Sequence, residues 1–241
     1  MKQGQRLRSF GAGLRYGAPV MLGYAPVSFA FAVAAVGSGL PWPVVVLISL
    51  TNFTSAGQQA GAGLLAAGAP LPEIGVTVLV INIRYMLMSL SLSQKMLRIP
   101  LGKRLLLANG VTDEIFFLGM QKPELSGSFF AGLAAGPYAG WAAGTLAGAL
   151  AGTMLPPSLS SALGIALYAM FIAIVVPEMR REHPAILVVL CAVGLSCAFH
   201  YLPLLNRVPS GWALIISAVA ASLLGAWLFP VSTQEEGGQS A

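Results

Sequence analysis

Residues 74–92 read IGVTVLVINIRYMLMSLSL, an apolar run with Asn82 and Arg84 near its middle. At about 1.5 Å per helical residue, such a run spans a hydrocarbon core about 30 Å thick. Arg84 lies too deep for its guanidinium to reach water by snorkelling, and an ionised group at that depth is costly. It must meet an anion, a set of carbonyls or a wet cavity. The run therefore reads as a membrane-spanning helix that carries internal polar chemistry.

The same character recurs along the chain. Hydrophobic residues make up 56% of the sequence and charged residues 9%, against about 25% charged in a soluble domain. So few charges cannot cover the surface of a soluble protein of 241 residues. Further apolar runs of spanning length follow one another, without the ~10-residue alternation of an outer-membrane barrel. The fold class is all-α, polytopic and membrane-embedded. The formal charge of +5 does not signal nucleic acid, because the basic residues sit in short loops where they set orientation in the bilayer. Cys191 and Cys197 share one run, six residues and about 600° of helical turn apart, so they face different ways. Neither a disulfide nor a metal site is expected of them. The run after Arg15 is too long for the core of a cleavable signal, so the first helix serves as its own insertion signal.

Eight segments stand out: Leu14–Val36, Val44–Ala67, Ile74–Leu92, Arg104–Met120, Phe129–Met154, Ser158–Val176, Pro184–Tyr201 and Gly211–Phe229. Short connections rich in proline and glycine join them as helix hairpins. The expected organisation is a cytoplasmic segment over 1–13, one transmembrane domain over 14–230 and a polar, disordered tail over 231–241. Charge parity constrains the crossings. Lys2, Arg6, Arg8 and Arg15 place the N-terminus inside, and Lys95, Arg98, Lys103 and Arg104 place the loop after the third segment inside too. Three full crossings between them would violate that. The segment 44–67 is the best candidate for a non-crossing one, because its centre, Asn52 to Gln59, is polar and contains Gly57; it suits two half-helices facing protein or a wet cavity. By the same logic 104–120 is broken or re-entrant. About six full crossings then remain, both termini are inside, and Arg180 and Arg181 are cytoplasmic.

Glycine recurs at every fourth position of the fifth segment, as Gly132, Gly136, Gly140, Gly144, Gly148 and Gly152. Small residues at this spacing let helix backbones approach closely in membranes. A step of four residues drifts about 40° round the helix, so the stripe is expected to meet more than one neighbour in turn.

Polar residues at depth are the candidates for binding or gating. Asp113 and Glu114, after Thr112, are natural partners for Arg84 across the fold. Such a pair either ties two segments together or forms a substrate-carboxylate anchor or gate. The two acids could instead cap a helix after Asn109-Gly110, or hold a proton or an ammonium group. Gln58 and Gln59, with Ser55, offer amide and hydroxyl groups where the second segment breaks, either patching unravelled backbone or binding substrate. Tyr24, Pro26 and Ser28 of the first segment and Asn82 of the third could line the same cavity. His183 reads as solvated and His200 as interfacial. Enzyme signatures are missing: there is no phosphate-binding lysine loop, no clustered His/Cys set, and one aspartate in the chain, so paired-aspartate chemistry is excluded. No enzymatic activity, metal or cofactor is expected.

Taken in order, Gly17 to Pro26, Thr54 to Gln59, Asn82-Ile83-Arg84-Tyr85 with Ser89 and Ser91, Thr112-Asp113-Glu114, and Tyr168 to Ala173 resemble the AzlC family. The resemblance covers about residues 10–180. It implies a multi-pass protein of a bacterial inner membrane that exports branched-chain or other apolar amino acids together with a small membrane subunit of the AzlD type. The residues depart from the family pattern at Tyr85, where a histidine is common, and near Gly164, where some members carry an aspartate. A zwitterionic substrate would find Arg84 or half-helix N-termini for its carboxylate and Asp113 or Glu114 for its ammonium group. The rival readings are a non-transporting scaffold subunit, a channel for small solutes, and, through Ser196 and His200, an intramembrane enzyme.

Overall fold

The computed structural model describes residues 2–96, 99–156, 158, 165, 172, 175–177 and 179–230, with side chains from Ser9 onward. Most of the expected span Ser158–Val176, the stretch Tyr168 to Ala173 and the tail 231–241 lie outside the described residues. Among the described residues the regular structure is all helix, and one isolated bridge joins Met96 and Leu125. In chain order the helices are α1 (Lys2–Gly37), α2 (Trp42–Thr51), α3 (Ser55–Ala66), α4 (Leu71–Lys95), α5 (Leu101–Ala108), α6 (Asp113–Met120), α7 (Gly127–Gly152), α8 (His183–Tyr201) and α9 (Ser210–Leu228). Four are long and apolar enough to cross a membrane: α1 from Ser9, α4, α8 and α9. The protein is a helical membrane protein. Helix α7 is as long as α4 but consists largely of glycine and alanine, and is not among the four.

Both segments expected to be broken are helix–break–helix. Helix α2 stops at Thr51: Asn52 N still donates to Ile48 O at 2.8 Å, but Thr54 turns back on Asn52, its Oγ1 donating to Asn52 Oδ1 and its N to Asn52 O, both at 2.7 Å. The break occupies 52–54, so Gln58 and Gln59 lie inside α3 and do not patch an unravelled stretch, which corrects the sequence reading. The second break spans 109–112, between α5 and α6. Thr112 caps α6 by accepting from Ile115 N. The alternative that Asp113 or Glu114 caps is corrected accordingly. Both sit in the first turn of α6, where the helix dipole favours carboxylates.

The chain divides into two compact units, residues 1–169 and 170–241. In the second, α8 packs on α9, with Gly225 under Val188. The first is organised around α1 and α7. Gly13 and Gly17 of α1 meet the α7 backbone at Phe129 and Leu133. In return Gly132, Gly140, Gly144 and Gly148 meet the α1 backbone at Phe10, Met21, Ala25 and Phe29. Gly136 lies on Leu14, and Gly152 on Val33 and Val36. Numbers rise together on both helices, so the pair runs parallel. The whole glycine stripe thus faces one neighbour, where a succession of neighbours was expected. A stripe of period four stays on a single partner when the two helices wrap right-handedly, as close-packed small-residue pairs do. A methyl group at Gly140 would lie 2.6 Å from the Met21 carbonyl oxygen, which leaves no room for a side chain.

Candidate functional site

Helix α6 is held to α4 at both of its ends. At the start, Arg84 Nη2 lies 2.8 Å from Asp113 Oδ2, an ion pair whose side chains are 48% and 41% exposed. Tyr85 shares it: Arg84 Nη2 donates to Tyr85 Oη at 3.1 Å, the guanidinium lies 4.9 Å from the ring centre, and Tyr85 Oη donates to Asp113 Oδ2 at 3.3 Å. At the far end, Lys95 Nζ donates to the Met120 carbonyl at 2.7 Å and the Lys122 carbonyl at 3.3 Å. A cation at a helix C-terminus satisfies orphan carbonyls and complements the dipole.

The same short helix reaches α1. Tyr24 Oη donates to the Glu114 carboxylate and lies 2.8 Å from Thr112 Oγ1. The Tyr24 ring packs edge-on against Phe53 in the first break, centroids 5.8 Å apart. From that break, Asn52 Oδ1 accepts from Asn82 Nδ2 of α4 at 3.3 Å. Asn82 and Arg84 lie two residues apart on α4, and Asp113 and Glu114 adjoin on α6, so contacts and chain together link Asn52, Asn82, Arg84, Asp113, Glu114, Thr112, Tyr24 and Phe53 into a ring. Both breaks, α1 and α4 contribute to it. Gly57 admits Asn82 to its place, since a methyl group there would lie 2.5 Å from Asn82 Oδ1 and from Thr54 Oγ1.

A second, dry network adjoins the ring. Trp141 of α7 packs edge-on against Tyr24 at 5.2 Å and Phe53 at 5.9 Å. Its indole N–H donates to Ser49 Oγ at 2.8 Å and to Gln58 Oε1 at 3.3 Å. Ser49 Oγ lies 2.7 Å from Thr145 Oγ1, and Tyr138 Oη donates to the Leu50 carbonyl at 2.8 Å. Ser49, Gln58, Trp141 and Thr145 are all buried. Unpaired polar groups are costly there, so this network fixes α2 and α3 onto α7.

The profile of the AzlC protein family matches residues 19–155. The chain belongs to the AzlC family. Every residue of the ring and of the buried network lies within the matched stretch. The AzlC chain is 34% identical over 221 residues to an uncharacterized membrane protein of Archaeoglobus fulgidus, covering 90% of this chain and 94% of that one. It is 29% identical over 183 residues to the inner membrane protein YgaZ of Escherichia coli, covering 72% of this chain and 75% of that one. No solved structure matches the chain.

Set against the sequence reading, the AzlC chain brings Arg84, Asn82, Asp113, Glu114, Thr112 and Tyr24 into one ring. Ser55, Gln58 and Gln59 lie on α3, with Gln58 fully buried. Ser28 is buried against Gly144 and donates to the Ala25 carbonyl at 3.1 Å, while Pro26 is exposed and takes no part. His200 stacks edge-on against Tyr201 in the second unit, at 4.8 Å. Both cysteines are free thiols. Tyr85, Asn52, Phe53, Ser49, Trp141 and Thr145 were not anticipated. A signal existed for two of them: in the stretch Gly140–Gly152, otherwise glycine, alanine and leucine, Trp141 and Thr145 are the side chains able to hydrogen-bond.

Proposed function

We propose that this chain is a secondary transporter of a bacterial inner membrane that exports small apolar, branched-chain amino acids. It acts with a small membrane subunit of the AzlD type. The observation that carries the reading is the ring itself: an ion pair from Arg84, in the middle of an apolar helix, to Asp113 on α6, joined by contacts from both breaks. Broken helices with polar ends near mid-membrane are how many transporters present binding groups and still move. Family membership supports the reading, as does the resemblance carried by Gly17 to Pro26 and Asn82 to Tyr85.

In this reading Arg84 and Asp113 form a gate. The pair satisfies itself when the path is closed, and separates when α6 moves relative to α4. Glu114 takes the substrate ammonium group. Among the described residues it has no ion-pair partner, and it is held by Tyr24, whose hydroxyl can release it. Valine, alanine and phenylalanine walls suit the apolar side chain. With no nucleotide-binding loop in the sequence, coupling is to the proton gradient or to the substrate's own gradient. The proposal includes about six crossings with both termini inside, the segments 44–67 and 104–120 entering without crossing. It also holds that the chain is not an enzyme.

The test is an export assay in cells lacking their own branched-chain exporters. Expression of the chain with its small partner is expected to confer resistance to a toxic leucine or valine analogue and to lower intracellular leucine. No change in either, with both subunits present in the membrane, contradicts the proposal. Unsaturable flux accompanied by electrical current would favour a channel instead.

A further inference from the structure

Trp141 has an indole N–H and no acceptor, so the group of Gln58 that faces it, 3.3 Å away, must be the amide oxygen. That contact fixes the amide and turns its nitrogen away from Trp141. Gln58 is 0% exposed, and its Nε2 has no partner among the described residues. Two further buried polar atoms without partners, Ser55 Oγ and Gln59 Nε2, come from the same turn of α3. Positions 55, 58 and 59 are i, i+3 and i+4, so these groups share one helix face. Gly57 and Gly61, which pack on α4 at Asn82 and Val78, lie on a different face. The unpartnered oxygen of Asn82 belongs to that other side. On the face of Ser55, Gln58 and Gln59, all three unpartnered groups can donate. No side chain caps the first turn of α3, so its positive dipole end adds to the same preference.

Three buried donors without an acceptor call for an anionic or carbonyl oxygen. Arg84, the obvious cation, is already engaged by Asp113 at 2.8 Å and by Tyr85. We propose that the substrate's carboxylate is recognised by neutral donors on the first turn of α3, namely Gln58 Nε2, Gln59 Nε2 and Ser55 Oγ, and not by Arg84. The inference rests on the transport reading above and deepens it: the site selects a free carboxylate. In a low-dielectric site neutral donors bind a carboxylate strongly, because the alternative is donors left unmade. They also release it more readily than a buried arginine would, which suits a group that must let its cargo go. Trp141, touching Gln58 on one side and Tyr24 on the other, would couple carboxylate binding to the Tyr24–Glu114 contact.

The experiment uses the chain reconstituted with its small partner in proteoliposomes, with labelled leucine exchange inhibited by unlabelled leucine or leucinamide. In wild type, leucinamide is expected to compete at least about tenfold more weakly than leucine. Gln58→Glu keeps an oxygen for Trp141 but places an acceptor where the donor was. It is expected to raise the leucine KM about tenfold or more and to abolish or invert the preference over leucinamide. Ser55→Ala and Gln59→Leu are expected to raise KM severalfold with kcat unchanged. Should Gln58→Glu fail to fold, Gln59→Glu reads the same reversal. Wild-type KM and wild-type discrimination in the Glu variants overturn the proposal. Exchange in wild type that ignores the carboxylate overturns it and leaves transport standing, whereas no leucine or valine exchange in wild type removes the transport reading as well.

Discussion

The α1–α7 seam and the ring around α6 are two ways of joining helices, and they fail in opposite ways. The seam is built from backbone on backbone: glycines of each helix lie against carbonyls of the other along most of its length. Its cohesion is close packing spread over many small contacts, so it has one arrangement and no cheap alternative. The ring is built from a few directional contacts between side chains that are partly exposed, such as Arg84 with Asp113 and Tyr24 with Glu114. Each such contact is worth little net stability and can be exchanged for water or ligand. The same unit thus contains a fixed frame and a part able to rearrange. The proposed transport needs both.

Breaking the frame should produce the largest effect. Gly140→Val places branched carbons against the Met21 carbonyl; overpacking of this kind costs about 3 kcal/mol or more. The expected outcome is loss of monodisperse folded protein by gel filtration, whatever the transport activity of the remainder. Arg84→Ala comes next and separates the two regions: thermal stability in detergent should stay within about 1 kcal/mol of wild type, while exchange falls to background. A swap of charges, Arg84→Asp with Asp113→Arg, should recover part of that loss. Gly57→Ala sharpens the boundary, because the added methyl displaces Asn82 and Thr54 but touches nothing in the seam. Its exchange rate should drop severalfold, and Asn82→Ala in the same chain should restore part of it. Tyr24→Phe removes one hydroxyl from Glu114 at a stability cost of about 1 kcal/mol, with a change in exchange and none in folding. Replacing Cys191 and Cys197 with serine, both free and outside frame and ring, should leave stability and exchange unchanged.

What the sequence made legible follows the same division. Arg84 announced itself because it is the one charge inside a spanning run, and Asp113 because an intramembrane cation must find an anion. The break after Thr51 was legible from Asn52 and Thr54, residues whose side chains compete for backbone partners. The polar centre Asn52 to Gln59 contains that break, but the reading carried it on to Gln58 and Gln59, because Gly57 reads locally as a helix breaker. Its function is spatial, to admit Asn82, which only the placement of α4 reveals. The glycine stripe was evident from period alone, yet its single partner was not, since straight-helix geometry sends the stripe round the circumference and wrapping keeps it on α1. The network of Ser49, Gln58, Trp141 and Thr145 was hidden for a different reason. Its members come from three helices, and no spacing within one segment encodes a contact across three.

In the proposed function the Arg84–Asp113 ring serves movement of substrate and not cohesion of the fold. Exchange of labelled leucine in proteoliposomes, comparing wild type with Arg84→Ala at equal amounts of folded protein and partner, tests it most directly. Saturable exchange is expected in wild type and background exchange in the variant, with the two proteins melting alike. Exchange at the wild-type rate in Arg84→Ala, or loss of exchange only in step with loss of folded protein, would contradict it.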